Sequence, residues 1–283
     1  MSGYLAGILA TYFINLIIAY AVFLPASAGI INLGVAGFVA IGAYTSAWLS
    51  NELGLPVIAS IGFSMLVSAL IALVVALPIL RTRGIYTVLA TIAFGEVVIG
   101  ILINIEAIGG AAGYPVIEFL DLNVVAACAL ATVLFVVYLM STRLGLMMRS
   151  IHDDEAVAVL FAVNARNVKV IAFTVGAALA GLGGALFAHH YSYVDVSYFA
   201  TILSIYTLLY VLIGGTQTPY GPIIGAAVFS LLPELFRGAD QWRYVFFAVV
   251  IIAIMALRPE GILTRSALRS LMFWKTSLRR EPT

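Results

Sequence analysis

RLGLMMRSIHDDEAVAVLFAVNARNVK, residues Arg143–Lys169, is the longest strongly charged segment between two hydrophobic runs in this chain. It gathers Arg143, Arg149, Asp153, Asp154, Glu155, Arg166 and Lys169. The apolar runs beside it, roughly Leu122 to Ser141 and Val168 to His189, each approach the ~20 residues that a helix needs to cross a bilayer. A charged island between two such runs reads as a loop that meets water, and something in that water, between membrane spans.

The rest of the chain fits that setting. It is 63% hydrophobic and 10% charged, with a mean hydropathy of +1.13, whereas soluble domains carry about 25% charged residues. No single aqueous core can hide so much apolar surface. The runs are long, and short polar breaks separate them, unlike the ~10-residue alternation of a membrane β-barrel. The predicted fold is therefore all-α: a polytopic transmembrane helical bundle of about 8–10 spans, some broken or re-entrant. Residues 1–283 read as one transmembrane domain, with a cytoplasmic loop at 143–168 and a basic cytoplasmic tail at 259–283. The net charge of +1 gives nucleic acid nothing to bind, so lipid is the expected surrounding. The single cysteine, Cys128, lies in an apolar run and reads as a packed small residue. No cleaved signal peptide is expected, because no basic segment precedes the first apolar run, and no soluble domain is expected at either end.

Outward from the loop, the spans read roughly as Leu5 to Leu24, Ala28 to Leu49, Leu55 to Leu80, Ile85 to Asn104, Leu122 to Ser141 and Val168 to His189. Two shorter pieces, Ile202 to Ile213 and Ile223 to Leu235, flank GGTQTPYGP, and a last span covers Tyr244 to Leu257. Lys and Arg cluster at Arg81/Arg83, in the charged loop and in the tail. Placing all three clusters in the cytoplasm, where such residues are retained, closes the alternation of spans. The acidic loop with Glu106, Glu118 and Asp121 then lies outside, as do Asp195, Asn51-Glu52 and the N-terminus. The short pieces, with Gly, Pro and Thr between them, read as broken helices, which line substrate pathways in transporters. GAY at Gly42 to Tyr44 and GGT at Gly214 to Thr216, each followed by a proline-bearing break, suggest inverted halves.

Within the charged loop, Asp153-Asp154-Glu155 followed by AVAVLFAVN predicts a short helix, capped by Ser150 or Asp153. Ala156, Val159, Leu160 and Val163 would form its apolar face. That face suits either a connector lying on the membrane or a helix docked in another subunit's groove. Glu96 stands mid-span, where a carboxylate costs several kcal/mol unless paired or hydrated. It reads either as part of a polar path or as a helix clamp. His189 and His190 point in different directions from adjacent helical positions and read as interface residues, with no shared metal. There is no phosphate-binding GxxxxGK[ST] loop; the chain has only Lys169 and Lys275, and neither follows glycine. Neither HExxH nor a Cys/His cluster is present, so no catalytic constellation and no metal site is expected.

Five separated stretches, in order, carry a family resemblance: SAGIINLGVAGFVAIGAY (Ser27–Tyr44), RTRGIYTVLATIAFGEVV (Arg81–Val98) with GGAAGYP (Gly109–Pro115), the loop and following span (Arg143–His190), LLYVLIGGTQTPYGPIIGAAVFSLLPELFR (Leu208–Arg237) and ALRPEGIL (Ala256–Leu263). Together they resemble the M-type permease of branched-chain amino acid ABC transporters. The resemblance implies that Asp153, Asp154, Glu155, Ala156, Val159, Leu160, Val163 and Asn164 form the cytoplasmic coupling element, related to the "EAA" loop of ABC permeases, with Glu155-Ala156 as its Glu-Ala pair. The interrupted glycine-rich segments and the mid-span carboxylate, for their part, suggest a translocation path lined by Gly34, Gly37, Glu96, Gly214 and Gly215. Where the family often has Met-Gly-Val/Ile-Asn, this chain has Phe161-Ala162-Val163-Asn164, so the glycine is lost. The short stretch before the first motif implies one helix fewer than in longer members. The implied partners are a second homologous permease, two cytoplasmic ATPases and an extracytoplasmic solute-binding protein, in the inner (plasma) membrane of a prokaryote. The chain itself is expected to bind no cofactor, since ATP and Mg²⁺ are used by the ATPases. The family also holds permeases for urea and short amides, so the substrate stays open. A stand-alone secondary transporter using Glu96 is the competing reading; a membrane enzyme is disfavoured by the missing constellation.

Overall fold

The computed structural model describes residues 3–235, 245, 248–249, 251–252, 256 and 261–263. The expected last span and basic tail lie mostly outside the described residues. The described chain is almost entirely helical: α1 (Gly3–Ser27), α2 (Val35–Leu53), α3 (Val57–Ile79), α4 (Ile85–Ile103), α5 (Leu122–Ser141), α6 (Arg143–Asp153), α7 (Glu155–Leu160), α8 (Ala165–Tyr191), α9 (Thr201–Gly214) and α10 (Gly221–Leu235). Its one sheet is a two-residue antiparallel pair, β1 (Tyr114–Pro115) with β2 (Tyr193–Val194).

Among the described helices, α1, α3, α4, α5 and α8 are long and apolar enough to cross a membrane. They divide into two kinds. The windows of α1 and α8 are 61% and 67% buried, whereas those of α3, α4 and α5 are 28% buried. The outer helices turn Leu66, Leu70, Leu130 and Leu134 outward, a face that suits lipid and not water. The five predicted spans that match these helices hold to within a few residues. The second does not begin at Ala28: residues 28–34 are non-helical, and α2 starts only at Val35. Pro25, expected to end the first span, lies inside the last turn of α1.

Helix α8 is the hub, and small residues make it one. Without an aqueous driving force, helices in lipid associate by close packing, which favours small side chains at the contact. A Cβ on Gly184 would stand 2.0 Å from the Val39 carbonyl oxygen of α2, and one on Gly176 would stand 2.6 Å from that of Ala21 of α1. Helix α3 meets this hub with Ser60, Ser64, Ser68, Ala72 and Ala76, all fully buried and spaced one helical turn apart. Helices α9 and α10 form a short hairpin of 14 and 15 residues, about 21 Å each and less than the ~30 Å hydrocarbon core. The hairpin rests on α1 through Tyr20, whose hydroxyl donates to the Pro219 carbonyl at 2.8 Å.

The two faces of the bundle separate cleanly. The end of α1 meets α6, where His152 Nδ1 donates to the Ala26 carbonyl at 3.0 Å. The end of α2 meets the acidic loop, where Asn51 Nδ2 donates to the Pro115 carbonyl at 2.7 Å. The charged segment and the acidic loop therefore lie at opposite ends, as the alternation of spans requires.

Candidate functional site

The charged segment folds into two helices, with Asp154 as the hinge residue between them. Asp154 is extended (φ −160°, ψ 109°), and its Oδ1 accepts from the amides of Ala156 at 2.9 Å and Val157 at 3.1 Å. It is thus the N-cap of α7. Ser150 and Asp153, the expected caps, belong to α6; Ser150 Oγ turns back to the Met147 carbonyl. Only the extended residue just before the helix can aim its oxygen at free amides.

Helix α7 also ends sooner than the apolar spacing suggests. The Ala162 amide donates to the Val159 carbonyl at 3.0 Å, and the Val163 amide donates to that of Ala158 at 3.2 Å. Those two bonds, with Ala162 at φ +59°, make a Schellman ending. The predicted face is therefore split. Val163 folds back against the core beside buried Ala158, while Asn164 caps α8 by accepting from the Asn167 amide. Ala156, Val159 and Leu160 stay exposed, joined by Val157 and Phe161. Leu160 is 85% and Phe161 79% exposed. The result is an apolar knob at a bundle end that is otherwise charged.

The knob is braced. Glu155 pairs with Lys169 of α8 at 2.7 Å. Ser27 Oγ of α1 lies 3.7 Å from Met148 Sδ of α6 and 3.9 Å from Met140 Sδ of α5. Helix α7 is thus tied directly to α8, and through α6 it reaches α1 and α5.

Glu96 lies in the half of α4 toward the acidic loop. Its carboxylate accepts a hydrogen bond from Thr201 Oγ1, in the first turn of α9. A helix start carries partial positive charge, which suits a carboxylate. Beside it opens a cavity of about 250 Å³ lined by Glu96, Ile99, Ile103, Asp195, Val196 and Ala200, among others. Asp195 accepts from the hydroxyl and the amide of Ser197 at 2.7 and 2.8 Å, which holds its carboxyl below the usual value.

The four glycines expected on the same path as Glu96 are not among the residues that line this cavity. Gly34 and Gly37 are buried against α4 at Thr91 and at Gly95, the residue before Glu96, where added Cβ atoms would meet the Thr91 carbonyl oxygen at 2.3 Å and Gly95 Cα at 3.0 Å. Gly214 and Gly215 lie at the far end of α9, packed against Gly221 and Leu263. Each of GAY and GGT is followed by a non-helical break with proline, at 54–56 and 215–220, although GAY itself lies within α2 and GGT begins at the last residue of α9. The helix starts are what converge: the Ala36 amide in the first turn of α2 donates to Ser204 Oγ in the first turn of α9 at 3.0 Å.

The histidines hold a structural device that the sequence reading missed. His189 is fully buried, and its Nδ1 donates to the Glu118 carbonyl at 3.0 Å. That bond fixes the tautomer, so Nε2 accepts from Ser46 Oγ at 2.9 Å. His190 Nδ1 donates to the Leu120 carbonyl at 3.0 Å. The acidic loop is pinned across α2 and α8. The doubled histidine at a span end was the only signal, and its partners are carbonyls some 70 residues away. Among the described residues, no group of His, Cys, Asp and Glu could hold a metal.

Comparison with known proteins adds the family. Residues 4–255 match the model for the permease component of branched-chain amino acid transport systems. The high-affinity branched-chain amino acid transport system permease protein LivM of Salmonella typhimurium is 30% identical over 271 residues, covering 83% of this chain and 64% of that protein. Its Escherichia coli counterpart is 29% identical with the same coverage, so this chain spans about two thirds of the length of these relatives. The LivH permease protein of Escherichia coli is 24% identical over 48% of this chain and 44% of its own length. No solved structure matches. With a helical transmembrane bundle and a family match over most of its length, the chain belongs to the family of branched-chain amino acid transport system permease components.

Proposed function

We propose that this chain is a permease subunit of an ATP-driven importer in the inner membrane of a prokaryote, and that it carries branched-chain amino acids. In this reading the whole chain is one permease domain that pairs with a second, homologous permease. Two cytoplasmic ATPases bind ATP and Mg²⁺ and do the hydrolysis, and an extracytoplasmic binding protein delivers the substrate. The chain itself does no covalent chemistry and binds no cofactor.

The observation that carries the proposal is the knob at Val157–Phe161. It is apolar, almost fully exposed at Leu160, capped at both ends and tied by an ion pair to α8. Exposed aliphatic and aromatic side chains on a surface that meets water mark a docking point. The knob thus fits a groove of an ATPase subunit, whose closure would move α7 and tilt α1, α5 and α8. The segment 143–168, with Asp154 and Asn164 as its caps, Glu155 as its tie and Asp153 at the end of α6, is the coupling element, on the cytoplasmic side together with the basic tail.

Purified complex in proteoliposomes supplies the test. Glu155→Lys breaks the tie to Lys169 and sets two ammonium groups together, so stimulated ATP hydrolysis and uptake are expected to fall while the subunit stays folded. Uptake that persists without any ATPase and collapses in Glu96→Gln would instead establish a secondary transporter.

A further inference from the structure

We infer that Glu96 and the cavity beside it form the point at which the outward-facing path binds the ammonium group of a zwitterionic aliphatic amino acid. This rests on the permease reading above and adds to it a residue and a recognised chemistry. Glu96 is exposed on α4 of the single chain although it lies within an apolar span. A carboxylate there cannot face hydrocarbon at tolerable cost, so this side of α4 borders water or another protein. One oxygen of Glu96 is occupied by Thr201. The other is free to accept from a ligand, and the cavity lies beside it.

The walls of the cavity match the rest of such a ligand. Ile99, Ile103 and Val196 supply an aliphatic lining, while Asp195 and Ser197 add polar groups. An aliphatic amino acid presents both features, a cationic head and a branched apolar side chain, while its carboxylate points out of the open mouth, away from Glu96 and Asp195. Urea and short amides have no cationic head. A carboxylate would give them a hydrogen bond but no ion pair, so the site favours an amino acid over those relatives' substrates. The cavity also lies toward the acidic loop, the end from which an importer's substrate arrives, and α9 begins at it. Movement of α9 would change the site directly.

Two substitutions separate this role from that of a helix clamp. Glu96→Gln keeps the shape and can still accept from Thr201, but it removes the charge. Glu96→Asp keeps the charge and shortens the reach. A clamp tolerates Gln better than Asp, whereas an ammonium site ranks them the other way. In the reconstituted complex with its ATPases and binding protein, ATP-dependent uptake of L-leucine by Glu96→Gln is expected to fall about ten- to a hundredfold, the value of a charged hydrogen bond. Glu96→Asp is expected to retain more uptake than Glu96→Gln, with ATP hydrolysis by both still responsive to the binding protein. Ala111→Phe, an exposed position on the cavity rim, is expected to block uptake by filling it and serves if Glu96→Gln does not assemble. Wild-type uptake with unchanged Glu96→Gln, or with Gln outperforming Asp, overturns the ammonium site and leaves the permease reading intact. Absence of ATP-dependent L-leucine uptake by the wild type overturns both.

Discussion

Ala162 is the residue at which departure from the family pattern meets the backbone. It is one of two non-glycine residues at positive φ among the described residues, and it occupies the C′ position of the ending of α7, where glycine is preferred. A side chain in the left-handed region costs roughly 1 kcal/mol. Ala162→Gly is therefore expected to raise the thermal midpoint of the purified subunit, or to slow amide exchange at Val163, without changing the knob. A fall in stability would show that the turn does not need this conformation. The hub makes the opposite demand. Gly184→Ala puts a methyl group 2.0 Å from the Val39 carbonyl oxygen and is expected to destabilise by about 1–3 kcal/mol, read as a lower midpoint in detergent. The missing glycine at position 162 is visible in the sequence; that the chain turns left-handed there is not. Glu96 could be singled out as a carboxylate within an apolar span, but its contact with Thr201 crosses more than a hundred residues and has no local signature.

Among the elements, α7 depends on its caps more than on its length. Six residues cannot sustain an isolated helix, so Asp154 and the tie from Glu155 to Lys169 hold it. Asp154→Ala is expected to cost about 1 kcal/mol locally. Faster hydrogen exchange at Ala156 and Val157, with α8 unchanged, would report it. Unchanged exchange would show that packing alone holds the helix. The existence and place of α7 were legible from the acidic run followed by apolar residues. Its end was not, because periodicity continues through Val163 while the Schellman bonds stop the helix at Leu160. The late start of α2 has a similar origin. Residues 28–34 are mostly apolar, yet they form a turn and a non-helical stretch held by Thr91 and Asn32: the Leu33 amide donates to Thr91 Oγ1 at 3.1 Å and the Gly34 amide to Asn32 Oδ1 at 2.9 Å.

At the scale of the whole molecule, the charged segment and the acidic loop mark opposite faces of one bundle. With Cys128 replaced by alanine, a cysteine at Leu160 is expected to react with a membrane-impermeant thiol reagent only from the cytoplasmic side, and one at Ile117 only from outside. The reverse pattern would invert the assignment. Both positions are exposed, so reactivity reads sidedness and not burial. The order and approximate bounds of the five long helices among the described residues were legible because length and hydropathy decide them. The hub role of α8 was half legible: its glycines and alanines were plain, but only packing reveals that α1, α2 and α3 all close on it. The central claim is that the knob of α7 transmits the work of ATP hydrolysis to the spans. Leu160→Lys tests it most directly, since Leu160 is 85% exposed and its replacement disturbs no internal packing. In proteoliposomes holding the complete complex, ATP-driven amino acid uptake is expected to fall by about tenfold or more, the subunit keeping its wild-type thermal midpoint. Undiminished uptake by Leu160→Lys would show that α7 is only a connector.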